Sequence, residues 1–159
     1  MTVLSIIGCG NPNRSDDGVG VYVIQKLLAY HHENPKAGVR IFDSGTAGMD
    51  VMFQARGSDA LVIVDANSSD SEPGSIFEVP GEELENITEP SYNLHDFRWD
   101  NALFAGRKIF KDDFPEDVSI YLIEAGDLSL GIGLSSAVSE AADKVYSRLV
   151  ECIERHDQE

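Results

Sequence analysis

Apolar and polar positions fall into blocks whose period switches repeatedly along the chain. The run Val3-Leu4-Ser5-Ile6-Ile7 is short, apolar and closed by Gly8, the pattern of a buried strand. Over 19–30, apolar residues recur at Val23, Ile24, Leu27 and Leu28, which is the spacing of one helical face. Residues 31–38 are polar, contain Pro35 and read as a loop. A second strand is predicted over 39–42 and a short helix over 49–56, stopped by Gly57. The strongest strand signal is Leu61-Val62-Ile63-Val64, ending at Asp65.

Strand, helix, strand, helix, strand requires crossover connections and a parallel sheet. Residues 75–79 alternate in period two, as an edge strand or hairpin arm does, and 80–90 are acidic and loop-like. Helical spacing resumes over about 95–108. A further buried strand covers 118–123 and ends at Glu124. The last helix starts at Ser135 or Ser136 and carries Val138, Ala142, Val145, Leu149 and Cys152 on one face. The predicted fold is one α/β domain over 1–159, a three-layer sandwich with a twisted, mostly parallel sheet and helices on both faces.

Composition narrows the partners. The net charge of −16 argues against nucleic acid, whose phosphates call for Lys and Arg. The same charge fits a soluble monomer, or a protein whose partner carries a basic segment or a metal ion. No run approaches the ~20 apolar residues of a membrane span. Cys9 and Cys152 are too few for a disulfide framework, so a reducing cytoplasm is expected. With no histidine nearby in sequence, Cys9 reads as a small buried residue rather than a nucleophile.

The first turn, from Gly8 to Gly20, has the glycines of a phosphate loop and the wrong charge for one. Such turns bind anions through backbone N–H groups and the helix dipole. Asp16 and Asp17 would repel a phosphate and attract a cation. Ligands of open α/β sheets bind beyond the carboxyl ends of the strands. Asp16 and Asp17 follow the first predicted strand, Asp43 the second, Asp65 the third and Glu124 the last long one, while His95 precedes a helix. Carboxylates and one imidazole at one rim make a donor set for a borderline divalent ion. Of the adjacent pair, Asp16 is assigned to capping the first helix, leaving Asp17 to face the crevice. Competing motifs fail. Gly8-x-Gly10-x-x-Asn13 lacks the third glycine of a dinucleotide fingerprint. Asp43-Ser44-Gly45 is half of an aspartic-protease dyad without its second copy. Neither a Gly-x-Ser-x-Gly elbow nor a zinc-type His-Glu-x-x-His pair is present.

Taken in order, these segments carry a resemblance. Gly10-Asn11-x-x-x-x-Asp16-Asp17-x-x-Gly20 resembles the N-terminal signature of the nickel–iron hydrogenase maturation endopeptidases. Asp43-Ser44-Gly45-Thr46-Ala47-Gly48-Met49 resembles that family's second glycine-rich loop, Val64-Asp65-Ala66 its third-strand ending, and 91–103 its histidine segment. Residues 90–99 are most similar to the branch serving cyanobacterial uptake hydrogenases. The chain departs from the pattern at Asn13, where many members carry a hydrophobic residue. It departs again at Arg98 and Trp99, where many carry glycine and leucine.

The resemblance implies an endopeptidase, classed as aspartic-type. It would remove the C-terminal peptide from a hydrogenase large-subunit precursor after nickel insertion. It implies Asp17, Asp65 and His95 as the metal-ligating and catalytic residues, with the nickel carried by the substrate and no permanently bound cofactor. It implies Asp43, Gly45, Thr46 and Gly48 in substrate recognition. Two other classes stay open beside it: a metal-dependent hydrolase of a small molecule, and a non-catalytic assembly chaperone for the nickel subunit.

Overall fold

Strand β1 (Leu4–Cys9) is buried at all six positions, as its uninterrupted apolar run requires. The computed structural model describes residues 2–85 and 98–156. In it β1 pairs in parallel with β2 (Val39–Gly45) on one side and β3 (Ala60–Asn67) on the other. Strand β5 (Asp117–Glu124) extends the parallel sheet beyond β3. The edge strand β4 (Ile76–Pro80) runs antiparallel to β5, giving the order β2-β1-β3-β5-β4.

Helices cover both faces, as the sequence predicts. Alternation along each central strand divides its side chains between two cores. Leu4 and Ile6 of β1, with Val62 and Val64 of β3, pack against α1 (Val19–Glu33) and α5 (Ser136–His156). Ile7 and Cys9, with Leu61 and Ile63, pack against α2 (Gly48–Ala55) and α4 (Trp99–Phe110). Asp65 shares the parity of Ile63, so its side chain is delivered to the α4 side.

Element ends differ from the sequence reading where pairing or packing extends them. Strand β3 runs past Asp65 to Asn67 because β5 pairs with it to the end, Asn67 opposite Glu124. Helix α1 reaches Glu33, and the predicted loop after β4 opens with a short helix α3 (Gly81–Glu85). Helix α4 is described from Trp99; His95 and its neighbours lie outside the described residues. Among the described residues no helix is long and apolar enough to cross a membrane.

The site location follows from the connections. The chain leaves β1 toward β2 on one side, then crosses back to β3 on the other. At the carboxyl ends of β1 and β3 the connections diverge and a crevice opens. Gly20 lets α1 sit directly over this point. A Cβ there would lie 2.3 Å from the Cys9 carbonyl oxygen and 2.4 Å from that of Val64. We expect Gly20→Ala to destabilise the fold by about 2 kcal/mol, because the clash is with backbone that cannot rotate away. A fall of roughly 4–8 °C in the thermal midpoint would register it.

Candidate active site

The turn after β1 is shaped around Gly10. Its φ is +135°, and a Cβ would lie 2.0 Å from the Asp17 carbonyl oxygen and 3.6 Å from Asp65 Oδ1. Only glycine fits between the two acidic residues. A single 3₁₀ turn over Ser15–Gly18 folds the chain back, and the Asn11 N–H donates to Asp17 Oδ2 at 2.9 Å. Asp17 lines the crevice, as expected.

Asp16 does not cap α1, whose first turn has no side-chain cap. It is fully buried and ties the turn to the loop between β5 and α5. Oδ2 accepts from the Gly126 and Asp127 N–H groups and the Ser135 hydroxyl; Oδ1 accepts from the Ser135 N–H, all at 2.8–2.9 Å. Burial alone would raise its pKa. The bonds from Ser135, Asp127 and Gly126 outweigh burial and hold the carboxyl below the usual range.

Asp65 is 5% exposed and sits against α4. Trp99 Nε1 donates to Oδ2 at 2.7 Å, Arg98 Nη2 reaches the same oxygen at 3.2 Å, and the Ala66 N–H donates to Oδ1 at 2.8 Å. Burial pushes its pKa up to about 6, and the Asp17 charge adds to the rise. The Trp99, Arg98 and Ala66 contacts oppose it. We expect Trp99→Phe to move the Asp65 pKa above about 6, because the donor it removes favours the anion. Carboxyl carbon NMR titration reads this directly. Behind Asp65, the Cys9 thiol is pushed well up, first by burial and then by Asp65, which favours the inert thiol over the thiolate.

These groups wall one cavity of about 380 Å³. Asp17 and Asp65 face it together with Gly45, Thr46, Gly48 and Trp99. The glycine loop after β2 is therefore part of the wall. Asp43 at its start is not: it is exposed, accepts from the Gly45 N–H, and takes a 2.8 Å bond from Gln25 Nε2. Glu124 also stands apart from the cavity. It is buried and accepts from Asn67 Nδ2 and from the N–H and hydroxyl of Ser69, so it pins the strand end. Among the described residues no three His, Cys, Asp or Glu side chains form a metal-holding group.

Sequence reasoning missed Arg98 and Trp99 as partners of Asp65. No periodicity marks them. Their one signal was that the chain leaves the family pattern at both positions.

Comparisons with known proteins identify the family and the fold. The profile of the hydrogenase maturation protease family HycI matches residues 21–152. An inferred hydrogenase maturation protease of Methanocaldococcus jannaschii is 34% identical over 146 residues, covering 87% of this chain and 88% of its own. The hydrogenase 2 maturation protease of Escherichia coli is 26% identical over 146 residues, with 91% and 87% covered. In structure, the hydrogenase maturating endopeptidase HybD from E. coli superposes with a TM-score of 0.78 at 22% identity, covering 98% of this chain and 94% of that one. The last likeness concerns the fold alone.

Proposed function

Because this chain belongs to the hydrogenase maturation protease family, we propose that it cuts a C-terminal peptide from a nickel–iron hydrogenase large-subunit precursor carrying nickel. Family membership places it among endopeptidases rather than small-molecule hydrolases or assembly chaperones. The observation that carries the finer reading is the shared cavity. Asp17 and Asp65, 48 positions apart in sequence, face one space beside the Gly45–Gly48 loop.

Two carboxylates facing one cavity offer oxygen donors to a cation. The client supplies it: its nickel enters the cavity and takes Asp17 and Asp65 as further ligands. The third donor is His95, assigned by the sequence resemblance and four positions before Trp99 in the chain. An ion held by both proteins fixes the scissile peptide relative to the cavity, a proximity effect. Water then adds to the peptide carbonyl, the C–N bond breaks, and the departing amine takes up a proton. Gly45, Thr46 and Gly48 lie along the wall where the client backbone would run, and their small side chains leave it room.

The test is direct. Incubated with purified precursor, the protein should shorten the nickel-loaded form, seen as loss of one C-terminal peptide by intact mass. The nickel-free precursor should keep its mass. Equal cutting of both forms would remove the metal from the reading.

A further inference from the structure

The loop joining β5 to α5 carries the two most exposed large apolar side chains of the described residues, Leu130 and Ile132. Leu128, Leu130 and Ile132 are 38%, 78% and 89% exposed, and alternate with Ser129, Gly131 and Gly133. Apolar side chains exposed together, unlike a single exposed leucine, are the mark of an interaction surface. The backbone beneath them is fixed. Asp16 holds the loop at Gly126, Asp127 and Ser135. In the middle, the Ser15 N–H donates to the Gly131 carbonyl, and the Gly131 N–H to that of Asn13, both at 2.8 Å. The Ser15 hydroxyl donates to the Ser129 carbonyl at 2.8 Å. Ordering such a surface on binding costs little, because folding has already ordered it.

We propose that this row is a docking ledge for an extended, apolar stretch of the client adjoining its scissile bond, flanked by Lys or Arg. The assignment rests on the proposed function and deepens it. Leu128 belongs to the cavity wall that Asp17 and Asp65 share, so the row starts at the cavity. The apolar side chains follow one another along a single loop, a narrow strip along which a stretch of client chain can lie. A net charge of −16 disfavours a second copy of this chain and favours a basic segment.

The double variant Leu130→Ser/Ile132→Ser tests it, since both side chains point to solvent and the fold does not need them. Nickel-loaded precursor is titrated for binding and followed for cleavage. The expected result is a Kd and KM raised at least about tenfold, with kcat within about twofold. The conservative variant Leu130→Met/Ile132→Val should keep wild-type values. Raised ionic strength should weaken binding for every variant. Unchanged Kd in the serine variant overturns the ledge, as does a wild-type dimer that this variant dissolves in sedimentation. Salt-independent binding overturns the basic flank. Wild-type protein that binds the precursor without shortening it overturns the proposed function instead, and the Kd comparison still decides the ledge.

Discussion

Asp65→Asn should lower kcat/KM for the nickel-loaded precursor by ~10² or more without unfolding the protein. Loss of one charged ligand displaces the ion by a fraction of its coordination shell, and small misplacements of a reacting centre cost rates of this order. Asparagine keeps the volume and an oxygen for the Trp99 Nε1 donor, so the packing against α4 persists. Stability should change in its pH dependence. A carboxyl whose pKa is raised to about 6 in the folded chain, against about 3.9 unfolded, makes the protein less stable as pH climbs through that interval. The neutral amide lacks this pH dependence but sets its NH2 against the Ala66 N–H, so the variant's melting point should not fall between about pH 4 and pH 6 as the wild type's does. Activity provides an independent check. Cleavage by the wild type should fall as pH drops through about 6, where Asp65 takes up a proton. Asp17→Asn should show a comparable loss, since the Asn11 N–H can still donate to the amide oxygen while the charge is gone. A pair of variants that cut at the wild-type rate would remove both residues from the site.

The period of the apolar pattern carried the fold. Strands alternating with one-faced helices leave few options beyond a parallel sheet with two covered faces. It also carried the location of Asp17 and Asp65, because ligands collect at the carboxyl ends of such strands. The orientation of Asp65 was readable too: two positions beyond Ile63, it shares that residue's face. Other features depend on contacts that no local pattern encodes. Asp16 and Asp17 are adjacent and chemically identical, and which of them enters the core is decided by donors more than 100 positions away, at Gly126 and Ser135. The Glu124 carboxylate looked like a rim ligand because only its position at a strand end was visible, not Ser69 and Asn67 beside it. Leu128, Leu130 and Ile132 alternate with serine and glycine in the stretch before α5, and the sequence assigns no element to them because each is flanked by turn-forming residues.

Asp16→Ala should be the most damaging substitution to the fold, costing about 3–5 kcal/mol. Four donors lose their acceptor together: three backbone N–H groups and the Ser135 hydroxyl. Each unsatisfied buried donor costs about 1–3 kcal/mol, and partial access of water to the freed loop offsets some of the sum. The thermal midpoint should fall by roughly 10 °C. The pH dependence has a definite sign. The folded carboxyl titrates below its unfolded value, so its stabilisation is complete above about pH 4 and disappears as pH falls through the depressed folded pKa. Melting curves of wild type and variant should therefore converge in acid. Asparagine at this position keeps one acceptor oxygen and should fall between the two. Function should suffer beyond stability, because Asp16 couples the turn that presents Asp17 to the loop that presents Leu130 and Ile132. At a temperature where Asp16→Ala remains folded, both ion capture and client docking should weaken together, raising KM and lowering kcat. Faster amide exchange confined to 126–135 and 11–17 would identify the cause as a released clamp. Exchange that quickens evenly across the sheet would mean that the carboxylate merely stabilises the fold.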